Sequence, residues 1–175
     1  MTAVRRRTAL ALAGLALLAA CATKPPADAV SGRLALKVDA GADTPARSLS
    51  SAFELRGDGE RGELTLSSPL GTVVARARWA PGEATLATHE GERRFDDLDA
   101  LARDTFGEIL PLRALPDWLQ GRPWAGAADQ PLQPGAGFVQ LGWQIDLARF
   151  GAGQLQARRD APPAVRLRVQ KDVAP

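Results

Sequence analysis

One cysteine and one histidine are all the chain has of the two residue types behind most nucleophilic and metal chemistry. Cys21 alone excludes an intrachain disulfide and a thiolate cluster. His89 ends a strand-like run beside Glu90-Gly91, where a surface role is the default, and a Ser–His or Cys–His pair has no second histidine to draw on. HExxH, CxxC, GxxxxGK[ST] and GxGxxG are missing, so the sequence offers no catalytic residue, no metal ligand set and no cofactor. Asp96-Asp97 could serve acid–base chemistry, but capping a helix accounts for the pair more simply. A long apolar run is missing as well. The one apolar stretch, before Cys21, falls short of the ~20 residues a spanning helix needs. No internal repeat is visible.

What is present at the N-terminus is a leader. MTAVRRRTALALAGLALLAAC has three arginines, a short Ala/Leu core and small residues before a cleavage point. Its end, Leu18-Ala19-Ala20-Cys21, resembles a bacterial lipobox, which implies a lipidated Cys21 as the first mature residue. Ala22 in place of Asp does not favour inner-membrane retention, so the outer membrane, periplasmic face, is the implied address. Residues 1–20 form the signal peptide, residues 21–30 a polar, proline-bearing tether, and residues 31–175 one domain. The formal charge of +2 includes Arg5, Arg6 and Arg7 of the leader; without these three it is −1. Nucleic acid is not a partner such a balance recommends.

From Ser31 the pattern is strict alternation. Leu34, Leu36 and Val38 share a face, as do Leu49, Ser51, Phe53 and Leu55. Leu64 and Leu66 follow, then Leu86. Val139, Leu141, Trp143, Ile145 and Leu147 read as one side of one strand, and Val165, Leu167 and Val169 close the series against Arg166, Arg168 and Gln170. Period two repeated this often predicts an antiparallel sheet with one apolar face.

Two segments depart from it. FDDLDALARDTFG places Leu98, Leu101 and Ala102 at helical spacing, with Asp96 as N-cap and Gly107 as a stop. LRALPDWLQG predicts a second short helix, clustering Leu112, Leu115 and Leu119, bent at Pro116 and ended by Gly121. RPWAGAADQPLQPGAG reads as loop. Arg93-Arg94 and Arg158-Arg159 read as solvated faces. A curled sheet covered on one side by helices could pack solid or hold a lipid-sized cavity, and periodicity alone leaves both open.

SSPLGT sets a leucine at a turn tip: Pro69 suits the second position of a β-turn and Gly71 the fourth, so Leu70 faces outward between two strands. It is either an ordinary surface leucine or one aimed at something other than water.

SPLG at Ser68–Gly71, PLRALPDWLQGRP at Pro111–Pro123 and QLGWQIDLARF at Gln140–Phe150, in this order behind a lipobox, resemble the outer-membrane lipoprotein receptor family LolB. The resemblance covers nearly all of the mature chain from about Gly32. Its departures are Phe53-Glu54-Leu55 where relatives have Phe-x-Trp, and an end, VQKDVAP, without the usual tryptophan.

The resemblance implies a mainly β (α+β) fold, an incompletely closed antiparallel β-barrel with short helices as a lid over an apolar cavity. It implies a monomer that accepts lipoproteins from the periplasmic carrier LolA and inserts them into outer-membrane lipid, without catalysis or cofactor. Pro69, Leu70 and Gly71 would be the membrane-insertion loop. Phe53, Leu64, Leu66, Leu115, Trp118, Leu141, Trp143 and Ile145 would line the acyl-chain cavity. The alternative is a periplasmic lipoprotein that binds lipids or glycolipids in the same cavity; a structural lipoprotein with a solid core is a third reading.

Overall fold

In the computed structural model, which describes residues 29–41, 45–106 and 110–172, the alternating runs pair into one eleven-stranded antiparallel sheet. In chain order its strands are β1 (Val30–Val38), β2 (Arg47–Gly57), β3 (Gly62–Ser67), β4 (Val73–Ala80), β5 (Glu83–Thr88), β6 (Gly91–Phe95), β7 (Asp129–Pro131), β8 (Gly137–Gln140), β9 (Trp143–Asp146), β10 (Gln154–Arg159) and β11 (Val165–Lys171). The spatial order is β6-β5-β4-β3-β2-β1-β11-β10-β9-β8-β7, two meanders joined where β1 pairs with β11. The sheet does not close, since β6 and β7 are its two edges.

Register explains the apolar face. Leu34, Leu36 and Val38 lie opposite Val169, Leu167 and Val165 of β11, and Leu36 opposite Leu49 of β2. Their neighbours Arg33, Lys37, Arg166 and Arg168 alternate to the other side, which is wet. Each buried leucine or valine removed from water contributes roughly 1.5–3 kcal/mol, so a one-residue slip, which would turn the whole row outward, is strongly opposed.

The chain leaves edge β6 and returns at edge β7, and this crossing carries the helices α1 (Leu98–Phe106) and α2 (Leu115–Trp118). Leu98, Leu101 and Ala102 bury one stripe of α1 against the sheet. Asp97, one residue later than the sequence pattern places the cap, accepts the N–H of Ala100 at 2.7 Å. Asp97 directly precedes the first helical residue, and Ala100 is the third residue of the helix, the donor an N-cap reaches. Gly107, the expected stop, lies outside the described residues. Two arginines tie the far end of α1 to the sheet: Arg47 Nη1 donates to the Thr105 carbonyl at 2.6 Å, and Arg93 Nη1 meets Asp104 Oδ2 at 2.7 Å.

The single turn of α2 tolerates Pro116 because a first-turn N–H has no helical acceptor to lose. Leu115, Trp118 and Leu119 are buried. Gly121 follows with φ +77°, and a Cβ there would stand 2.8 Å from the Phe150 ring, so only glycine suits the site.

Two sequence expectations change here. The segment 122–137 is not all loop: it contains the short edge strand β7, whose Gln130 lies opposite Val139. The run from Val139 to Leu147 is not one strand. Gln140 pairs with Trp143 across a two-residue turn, Leu141–Gly142, with φ +54° and +76°. Positive φ at both positions is what a type I′ hairpin requires, and the left-handed region costs a leucine ~1 kcal/mol. The buried residues are consequently Phe138, Gln140, Trp143 and Ile145, while Leu141 is 46% exposed.

Candidate functional site

Between the sheet and its helices lies a cavity of about 550 Å³. Its floor is Leu34, Leu36, Leu64, Leu66, Ala75 and Ala77 from the strands; its roof is Leu101, Leu110, Leu112 and Leu115; Trp118 and Trp143 also line it. The volume lies inside the ~300–1,000 Å³ typical of ligand pockets, but convergent polar groups are few. Those on the wall are Arg47, Ser48, Thr88 and Thr105, and Thr105 Oγ1 is buried without a hydrogen-bond partner. Such a lining offers shelter to hydrocarbon and little to orient a polar substrate.

The cavity has a direction. Its exposed wall residues Arg47, Ser48 and Val74 come from the first positions of β2 and β4. Both strands start at the end of the sheet where β3 finishes, so the cavity opens there.

The β3–β4 hairpin stands at that same end. Gly71 N–H donates to the Ser68 carbonyl at 2.9 Å, and Ser68 N–H to the Thr72 carbonyl at 2.8 Å, which closes the turn with Pro69 and Leu70 at its tip. Gly71 has φ +82°. A register shift after Leu66 precedes the turn, and the buried Ser51 hydroxyl donates to the Ser67 carbonyl there at 2.6 Å. Leu70 is 94% exposed, and Val73 and Val74 behind it are also exposed. Because Val74 also lines the cavity, apolar side chains run from the tip to the mouth.

Of the eight residues expected on the cavity wall, Leu64, Leu66, Leu115, Trp118 and Trp143 are there. Phe53 and Ile145 are not: they share the inner face but are packed into the solid part of the core, Phe53 opposite Gly32 and Leu66, Ile145 opposite Phe138 and Ala157. Leu141 is not either, being the exposed turn residue described above.

Sequence reasoning missed Gln140, a nearly fully buried amide. Its Oε1 accepts Trp118 Nε1–H at 2.8 Å and Trp124 N–H at 3.0 Å, while its Nε2 donates to the carbonyls of Trp124 (2.7 Å) and Ala127 (2.8 Å). All four of its hydrogen-bonding sites are used. Gln140 thereby fixes the Trp118 indole, whose ring packs at 6.0 Å from Trp143 and 6.5 Å from Phe138. The available signal was a polar residue two positions beyond Phe138 on the same strand face. Trp79, unassigned by sequence, donates Nε1–H to the Asp58 carbonyl at 2.9 Å and lies over Gly62, where a Cβ would meet its ring at 2.4 Å.

Apart from Arg47 at the mouth, the charged side chains lie outside the cavity. Glu63 is held below its ordinary pKa, first by the 2.7 Å hydrogen bond from Arg78 and then by the charges of Arg78 and Arg76. Asp58 is lowered by the backbone N–H groups of Arg61 and Glu60. Burial lowers Lys171, whose Nζ donates to the Leu119 carbonyl at 2.9 Å and stands 4.1 Å over the Phe150 ring. Among the described residues no cluster of His, Cys, Asp or Glu could hold a metal ion.

A family model described as "Outer membrane lipoprotein LolB" matches residues 29–173. Curated relatives carry the name outer-membrane lipoprotein LolB. The one from Bordetella petrii is 35% identical over 178 residues, covering 92% of this chain and 89% of the relative. The one from Bordetella pertussis is 38% identical over 153 residues, covering 79% and 76%. A third, from Thiobacillus denitrificans, is 36% identical over 147 residues, covering 77% and 78%. The cavity, its lid and the SPLG hairpin therefore sit in a chain that belongs to the LolB family of outer-membrane lipoproteins.

Proposed function

We propose that this protein is an outer-membrane lipoprotein receptor. It takes lipoproteins from the periplasmic carrier LolA, shelters their acyl chains in the cavity and passes them to the membrane. Residues 1–20 direct export, Cys21 carries the lipid anchor, and the segment from Cys21 up to β1, which begins at Val30, tethers the domain on the periplasmic face. The observation that carries this reading is the apolar cavity of about 550 Å³ opening beside an exposed leucine tip.

The energetics suit a relay. Each methylene withdrawn from water contributes ~0.8 kcal/mol, so sheltering about a dozen yields roughly 10 kcal/mol without one directed hydrogen bond. Affinity on that scale comes from area, so cargo can differ in its protein part and still be held. Release needs a phase at least as apolar at the mouth. Leu70 supplies contact with it: one leucine is worth roughly 1.5–3 kcal/mol, too weak to anchor the domain but enough to bring the mouth to the lipid surface. No bond is made or broken, and no reaction is assigned to the site.

The test is cargo capture. The mature chain with Cys21→Ala is mixed with LolA carrying a lipoprotein, and the cargo is followed by size-exclusion chromatography. Movement of cargo to this protein supports the receptor reading; cargo that stays on LolA at every ratio overturns it.

A further inference from the structure

Leu141 occupies a place that chemistry would give to another residue. It is the first central residue of a two-residue hairpin turn, with φ +54°, followed by Gly142 with φ +76°. Asn or Gly fits that position without strain. A leucine there is disfavoured by its backbone and, at 46% exposed, gains little from packing. Outside the Leu70 hairpin, Leu141 is the exposed leucine among the described residues.

Strand direction puts it at the same end of the sheet as Leu70. From β3 to β8 there are six antiparallel pairings, through β2, β1, β11, β10 and β9, so both strands run the same way. Their following turns, Pro69–Leu70 and Leu141–Gly142, therefore leave the sheet at the end where the cavity opens. Four strands separate the two hairpins, ~24 Å measured along the sheet.

We propose that Leu141 is a second lipid-contact tip, so that the protein meets the membrane at two points flanking the cavity mouth. This rests on the reading that Leu70 enters lipid. A lipid surface is the occupant because two single leucines ~24 Å apart form no continuous patch that a protein partner could bury, whereas a fluid apolar phase needs no complementary pocket. Between the tips in strand order lies a basic row, in which Arg166 stands opposite both Lys37 and Arg158. Asp39 lies 3.2 Å from Lys37 and 3.6 Å from Arg166, and Asp160 lies 3.9 Å from Arg158. The acids offset most of that charge, so the leucines carry the contact and added salt weakens it little.

The experiment uses the mature chain with Cys21→Ala and vesicles of phosphatidylethanolamine with phosphatidylglycerol. Leu141→Asn replaces a strained residue by one the turn accepts, so its melting point should rise by ~3 °C. Its vesicle partitioning should nevertheless fall about fivefold, which is ~1 kcal/mol. A polarity-sensitive fluorophore on Leu141→Cys should shift to the blue with vesicles. If Leu70→Glu weakens partitioning while Leu141→Asn does not and the fluorophore stays in water, the second tip is overturned and the Leu70 reading stands. If Leu70→Glu also changes nothing, the membrane reading of this end is overturned, and the second tip with it.

Discussion

Trp118 and Gln140 are joined by an indole-to-amide hydrogen bond of 2.8 Å inside the core. This bond fixes the orientation of a tryptophan that lines the cavity, through a residue that does not itself line it. Gln140→Leu leaves Trp118 Nε1–H, Trp124 N–H and the Ala127 carbonyl without their partner, and leaves the Trp124 carbonyl only the 3.4 Å bond from Ala127 N–H. At roughly 1–3 kcal/mol for each buried unsatisfied group, with partial relief by water, the loss of stability should reach ~3 kcal/mol. Urea unfolding measures it. Gln144→Leu, on the exposed side of the same hairpin, should cost under ~0.5 kcal/mol.

Filling the cavity should separate binding from folding. Ala77 is on the floor, and Ala77→Phe places a ring in space that hydrocarbon would occupy. Displacing about two methylenes removes ~1.6 kcal/mol, more than tenfold in affinity for a fluorescent acyl probe. Stability should hold or rise, because an apolar void is being filled. Equal probe binding by both proteins would place the acyl chains elsewhere.

Much of this site was legible in the sequence, and the misses have physical reasons. Alternation at Leu34–Val38 and Val165–Val169 marks strands because period two is imposed by the backbone itself. It says nothing of whether an inward residue meets space or another side chain, so Leu64 and Phe53, both inward on neighbouring strands, read alike. Only the first lines the cavity. Leu141-Gly142 escaped notice because a leucine in the left-handed region is not a turn signal, and a two-residue turn between apolar flanks reads as continued alternation. Gln140 read as a wet strand residue because amides usually are; its partners come from Trp118 and the 124–127 loop, which no local pattern reveals.

Acid should weaken the fold through Glu63. Its folded pKa lies below the ordinary 4.5, chiefly through the Arg78 hydrogen bond. The stability it contributes is therefore present above its unfolded pKa and lost as pH falls through the lower folded value. Glu63→Gln should flatten that part of the acid limb in thermal melts while leaving acyl-probe uptake at neutral pH unchanged. An acid limb identical to wild type would show that the Glu63–Arg78 bond has no such weight in solution.

The tether sets a further limit. β1 starts at Val30 at the end of the sheet away from Leu70 and runs toward it. With the anchor proposed at Cys21, the tip reaches the anchoring membrane only if the segment before β1 can span about the length of that strand. Residues 21–29 reach ~30 Å fully extended, about the length of the nine-residue β1. Deleting residues 23–27 leaves a reach of ~14 Å. The lipid-anchored variant should still accept cargo from LolA but incorporate it several-fold more slowly. Unchanged incorporation would mean that the tip does not have to reach the anchoring membrane.

The most direct measurement follows a lipoprotein from LolA, through the mature chain with Cys21→Ala, into outer-membrane vesicles, with Leu70→Glu alongside. The account predicts that the unsubstituted tip delivers cargo to the vesicles, whereas the Leu70→Glu protein takes cargo from LolA and holds it. Equal delivery by both would contradict a lipid-seeking role for the 94% exposed leucine, and failure of both to take cargo would contradict the receptor function itself.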